Sequence, residues 1–112
     1  MSYSKYHSVK TTVDGITFDS KKEAEHYKVL KAQEQTGQIH GLQLQKKFLL
    51  IPKQYDKNGK VAERACYYKA DFCYHDAKEN YHVVDVKGYI LPSYVLKRKL
   101  MLWKYGIKVE QI

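Results

Sequence analysis

The densest chemical signal in the chain is Val83-Val84-Asp85-Val86-Lys87-Gly88. On an extended strand Val84 and Val86 face one way, and Asp85 and Lys87 face the other. A carboxylate and an ammonium inside an apolar strand are seldom buried unless they are paired or bound to something. A solvated face on an edge strand gives the same alternation with no chemistry attached. A second acid, Asp71, interrupts the apolar run Tyr68-Lys69-Ala70-Asp71-Phe72-Cys73-Tyr74. If these two segments form a hairpin about residues 76–80, Asp71 and Asp85 meet near one end of the pair. Two carboxylates at that distance repel each other. A divalent cation cancels the repulsion, and hard Mg²⁺ prefers carboxylate oxygens and water. Glu23 is the third acid, on a helical stripe with Tyr27, Leu30 and Glu34. It has a rival role, because Ser20 and Glu23 have the spacing of a capping box.

The elements that must position these groups follow from periodicity and punctuation. Residues 9–18 are β-branched on both sides of Asp14-Gly15, which predicts a hairpin with a type I′ turn. Ser20 then caps a helix from Lys21 to Gln35, ended by Gly37. A β meander follows. Its first strand runs from Leu42 to Tyr55, with Leu42, Leu44, Phe48 and Leu50 on one parity and Pro52 marking an edge or bulge. An Asn58-Gly59 turn leads to a second strand, Val61 to His75, and a third, Tyr81 to Lys87. A second helix spans Tyr94 to Tyr105, stopped by Gly106, and residues 107–112 alternate as a last strand. After the hairpin the order is α, β, β, β, α, β. The final crossover allows a parallel strand, and hence a mixed sheet with helices packed on it.

The 112 residues carry 20 Lys plus Arg against 12 Asp plus Glu, a net charge of +8. Length and balance suit one globular domain and argue against disorder. The longest apolar run, Phe48-Leu49-Leu50-Ile51, is far short of a membrane span, so no membrane partner is expected. Cys66 and Cys73 lie seven apart on one strand, too far for a disulfide, and suit a reducing cytoplasm. Cations crowd at Lys21-Lys22, Lys46-Lys47 and Lys97-Arg98-Lys99, interleaved with 11 Tyr. That pattern suits a nucleic-acid partner, although charge of this size also serves solubility alone.

An acidic helix residue, an Asp, a hairpin and then Asp-x-Lys resemble the PD-(D/E)xK nuclease superfamily. Residues 12–24, Gly37-Gln38-Ile39, Leu42-Gln43-Leu44-Gln45, and Ala70-Asp71-Phe72 through Asp85-Val86-Lys87-Gly88 are similar to small phage and prophage proteins of that superfamily. The resemblance covers nearly the whole chain. It implies an α/β fold with a restriction-endonuclease-like αβββαβ core, here as a nuclease-like domain over 20–112 preceded by a basic arm and hairpin over 1–19. Ala70 stands where the family motif has Pro. Asp71 matches the motif Asp, Asp85 the second acid, Lys87 the Lys and Glu23 the helical acid. The implied activity is Mg²⁺-dependent endonuclease cleavage of DNA, with Mn²⁺ as substitute. Glu23, Asp71, Asp85 and the Val86 carbonyl would hold the metal, and Lys87 would handle the attacking water. Gln45, Lys97 and Lys99 are supporting candidates; for the two lysines a solvated helix face is the competing reading. Lys5, Lys10, Lys22, Lys97, Arg98 and Lys99 would grip DNA, with His7 part of the N-terminal arm. The implied setting is the cytoplasm of a bacterial host or prophage-carrying cell. A junction-resolving version would act as a homodimer.

Other chemistry is poorly supported. His75 and His82 flank the 76–80 turn but lack nearby Cys ligands for zinc. Phosphate-binding glycine loops and a nucleophile elbow are missing. Two rival functions stand beside the nuclease. One is a nucleic-acid-binding module on the same fold with structural acids; the other is an RNA-binding sheet using Tyr67, Tyr74 and Tyr81 as stacking platforms.

Overall fold

A computed structural model describes residues 9–86 and 89–112. Strands β1 (Thr11–Val13) and β2 (Ile16–Phe18) form the expected hairpin. Its turn works because Asp14 and Gly15 take positive φ values of 54° and 75°. Helix α1 (Lys21–Gln35) starts where Ser20 Oγ accepts the Glu23 N–H at 3.0 Å. It ends on Gly37, where the Gly37 N–H bonds to the Glu34 carbonyl and the Gln38 N–H to the Gln33 carbonyl.

The meander departs from the expected bounds. The first strand begins three residues early and breaks at Pro52, giving β3 (Ile39–Ile51) and a short β4 (Gln54–Tyr55). The second breaks at Arg64-Ala65 into β5 (Val61–Glu63) and β6 (Cys66–Asp76). Among the described residues, strands β4 and β5 pair only with each other, as a separate ribbon. Proline supplies no ladder donor, so the main sheet ends there. Strand β7 covers Tyr81–Asp85, and α2 spans Pro92–Tyr105, with Pro92 at the start of the helix where its missing N–H costs nothing. Gly106 closes α2 at φ 67°. The last strand, β8, is only Glu110–Gln111.

The main sheet has the order β3-β6-β7-β8. The first two pairings are antiparallel, and β7 runs parallel to β8 through Val84↔Glu110 and Asp85↔Gln111. The chain is thus mixed α/β, with a mixed sheet, two helices and an N-terminal hairpin. Phe18, Ala24, Tyr27, Leu30, Ile39, Phe72 and Val84 pack on the α1 side. Phe48, Leu50, Tyr68, Ala70, Cys73, Val83, Tyr94, Met101 and Val109 pack on the α2 side. Consecutive Val83 and Val84 fall in different clusters, so the two helices cover opposite faces of the sheet.

Strict alternation fails in mid-strand as well as at the register shifts between His40 and Gln43 and between Leu49 and Ile51. Leu42 and Leu44 pack on the α1 side, yet Phe48 and Leu50, of the same parity, pack on the α2 side. Strand β6 does likewise, with Ala70 on one side and Phe72 on the other. The ribbon turns over at Gln45 and Asp71, which lie between the register pairs Leu44↔Phe72 and Lys46↔Ala70. Gln45 has φ 55°, a left-handed conformation that reverses the pleat.

At the far end of the sheet His82 is clasped by two carboxylates. Its Nε2 lies 2.8 Å from Asp76 Oδ2 and its Nδ1 2.6 Å from Glu110 Oε2. The hydrogen bond to Asp76, followed by Glu110, raises the His82 pKa above its ordinary 6.5. A raised pKa stabilises the fold below the unfolded value, and that contribution is lost as pH rises through the folded one. Asp76 is held well below the usual carboxylate range, chiefly by His82. Its share is therefore present at neutral pH and lost in acid. In an NMR titration His82 should remain protonated to higher pH than His26, whose pKa is lowered by burial and by Lys22. Titration of the two rings in the reverse order would contradict the clasp.

Candidate acidic site at the turnover of the sheet

The point where the ribbon turns over gathers the acids. The Asp71 N–H donates to Asp85 Oδ1 at 3.0 Å, and the Val86 N–H donates to Asp71 Oδ2 at 2.9 Å. Strands β6 and β7 are thus tied by each other's side chains where their regular pairing ends at Phe72↔Val84. From β3, Gln45 Nε2 donates to Asp71 Oδ1 at 3.3 Å and to Glu23 Oε1 at 3.2 Å. Two carboxylate oxygens from different elements therefore stand within hydrogen-bond reach of a single nitrogen. Glu23 and Asp85 are the two buried charged side chains among the described residues, at 5% and 0% exposure. Burying carboxylates is costly unless they are compensated, so this cluster is a deliberate feature of the fold.

Each element explains its contribution. Glu23 lies one turn before Tyr27 and two before Leu30, so burying that stripe carries its carboxylate to the sheet. Its N–H uses the Ser20 cap while its carboxylate meets Gln45, so the two roles weighed for Glu23 coexist. Gln45 is a non-glycine residue in the left-handed region, which costs about 1–2 kcal/mol. Such strain persists where surrounding contacts over-determine it, often at working sites. Tyr94, in the first turn of α2, approaches from the other face. Burial pushes its hydroxyl up to about 12, helped by the negative charges of Asp85 and Asp71 and opposed by Arg98. No spacing rule relates Tyr94 to the acids; only the packing of α2 reveals it.

Of the expected site residues, Glu23, Gln45, Asp71 and Asp85 come together, and Val86 joins them through its N–H. Lys87 and Gly88 lie outside the described residues, as do Lys5 and His7. Lys10 is exposed, 3.8 Å from Asp19, and Lys22 is exposed at the start of α1. Lys97 and Arg98 are half-buried and Lys99 exposed on α2. Arg98 donates to Gln111 Oε1 at 2.6 Å, and its guanidinium lies 6.0 Å from the Tyr94 ring centre. Among the described residues no helix is long and apolar enough to cross a membrane. His82, weighed earlier against zinc, is engaged by carboxylates at both nitrogens.

The donor chemistry is hard and anionic: the carboxylates of Glu23, Asp71 and Asp85. That set suits Mg²⁺ or Mn²⁺ and not a soft metal. Among the described residues, no three His, Cys, Asp or Glu side chains stand close enough to form a metal cluster. The Gln45 amide hydrogens lie between Glu23 and Asp71, partial positive charges where the acids would share a cation. Loading an ion there requires that amide to release them.

The model of the family described as protein of unknown function (DUF1064) matches residues 3–111. The chain belongs to that family. No match was found among curated proteins or among solved structures.

Proposed function

We propose that the chain is a metal-dependent endodeoxyribonuclease of the PD-(D/E)xK type, with a restriction-endonuclease-like core. The observation that carries this reading is the interlocking of Glu23, Gln45, Asp71 and Asp85 by hydrogen bonds at one point of the sheet. Three acids from a helix and two strands have no need of such proximity for packing alone.

Hydrolysis of a phosphodiester requires an activated water and relief of negative charge on the phosphate. Glu23, Asp71, Asp85 and the Val86 carbonyl are the groups that would hold Mg²⁺. A bound Mg²⁺ would supply Lewis-acid polarisation of the phosphate and a lower pKa for water. The protein's own part is orientation. Val86 N–H fixes Asp71, Asp71 N–H fixes Asp85, and Gln45 holds Glu23 toward them. Lys87, two residues after Asp85, is assigned to orient the water and screen developing charge on the family pattern. The +8 net charge would hold the DNA backbone without reading bases, so affinity should fall steeply with salt. Branched or junction DNA is the substrate this reading favours. Cutting both strands of a junction would call for two copies of the chain.

A nucleic-acid-binding module without catalysis is the second reading, favoured by the Gln45 amide standing between Glu23 and Asp71. Incubation of supercoiled plasmid, single strands and branched junctions with Mg²⁺ or Mn²⁺ separates the two. The nuclease reading expects cleavage of at least one substrate that is abolished by EDTA. Metal-independent binding with every substrate intact would leave only the module.

A further inference from the structure

Helix α2 and strand β8 leave between them a cavity of about 330 Å³. Its walls are Arg98, Lys99, Leu102, Lys108, Val109 and Gln111. Three of the six are cations and none is an acid, while Leu102 and Val109 add apolar surface. The chain's single tryptophan, Trp103, follows Leu102 directly and sits one helical turn beyond Lys99, on the same side of α2. It is 81% exposed, the most open of the large apolar side chains among the described residues. A tryptophan presented to water beside a cationic groove combines two features used to hold unpaired nucleotides, a stacking face and an electrostatic channel.

The groove adjoins the acidic site. Gln111 on its wall is the register partner of Asp85, and the Ile112 N–H donates to the Asp85 carbonyl at 3.0 Å. Neighbouring strands lie about 4.8 Å apart, so one strand spacing separates the Gln111 wall of the groove from the backbone of Asp85. A second copy of the protein fits this surface poorly. A two-fold interface would set Arg98, Lys99 and Lys108 against their own counterparts, like charge on like.

We propose that the groove between α2 and β8 binds single-stranded DNA, with an unpaired base stacked on Trp103 and its phosphates held by Arg98, Lys99 and Lys108. The site specifies the substrate of the proposed nuclease as a strand with unpaired nucleotides beside the scissile bond, and in that respect it rests on the nuclease reading. The binding itself does not depend on catalysis.

Trp103 is its own reporter. The full chain in EDTA, with no divalent metal, is titrated with a short oligo-dT strand and separately with a duplex of equal length. Trp103 emission and the anisotropy of an end label on the DNA are followed together. Oligo-dT should quench the emission to saturation, and the duplex should not. Trp103→Ala should weaken oligo-dT binding about tenfold. Lys99→Gln with Lys108→Gln should lower the slope of log affinity against log salt by about 1.4, in keeping with two lost phosphate contacts on a single strand. Unchanged emission with oligo-dT, equal quenching by the duplex, or absence of binding would each overturn the proposal. So would sedimentation showing a dimer that Trp103→Ala converts to monomer, because a second copy would then occupy the groove. Quenching that persists in a protein that cleaves nothing would refute the nuclease alone; cleavage without quenching would refute the groove alone.

Discussion

Asp85→Asn should lower metal-dependent cleavage by about a hundredfold or more while leaving DNA affinity within about twofold. Asp85 is fully buried, so the substitution removes a charge that no bulk solvent can replace. Asparagine keeps an Oδ1 that can accept the Asp71 N–H, so the β6–β7 tie survives. Alanine would instead strand that N–H, at a cost of about 1–3 kcal/mol, and would confuse folding with chemistry. Lys87→Ala should share the phenotype if, as proposed, Lys87 serves the reaction and not the grip on DNA. The check is cleavage kinetics beside filter binding at fixed salt. Full activity in either variant would remove that residue from the machinery.

Phe72→Ala should destabilise the protein by about 3–5 kcal/mol. Phe72 is fully buried, with ring centres 6.4 Å from Phe18 and 5.5 Å from His26. It joins the hairpin, α1 and the sheet, and it directly follows Asp71. Removing the ring leaves a cavity beneath the turnover of the ribbon. Domains of this size are typically stable by about 5–15 kcal/mol, so a large part of the total is lost. A melting temperature lower by roughly 4 °C or more per kcal/mol would register it in thermal denaturation. Leu96→Ala is the comparison, since Leu96 is 60% exposed and its loss should stay within about 0.5 kcal/mol. Equal melting temperatures for the two variants would contradict the assignment of the core.

The legible parts of the fold were those set by local chemistry. Asp14-Gly15 specified its turn, Ser20 its cap, and Gly37 and Gly106 their helix ends, because each solves a backbone problem in place. The hairpin about residues 76–80 was enough to bring Asp71 beside Asp85. The turnover at Gln45 was not legible. Parity put Leu42, Leu44, Phe48 and Leu50 on one face, and only a left-handed glutamine separates them. Nothing about glutamine as a residue type announces a positive φ. Likewise Tyr94, the His82 clasp and the groove beside Trp103 depend on where α2 and β8 dock. Those placements arise from long-range packing, to which residue spacing along the chain is blind.

If the acids gathered at Gln45 share a divalent ion, as proposed, the nucleic-acid-free protein must bind one. Direct titration of Mn²⁺ into the nucleic-acid-free protein, followed by loss of the free-ion electron paramagnetic resonance signal, tests it without any substrate. Saturable binding is expected, abolished by Asp71→Asn and by Asp85→Asn and unchanged in Trp103→Ala. Absence of binding by the wild-type chain, or binding that survives both substitutions, would contradict it.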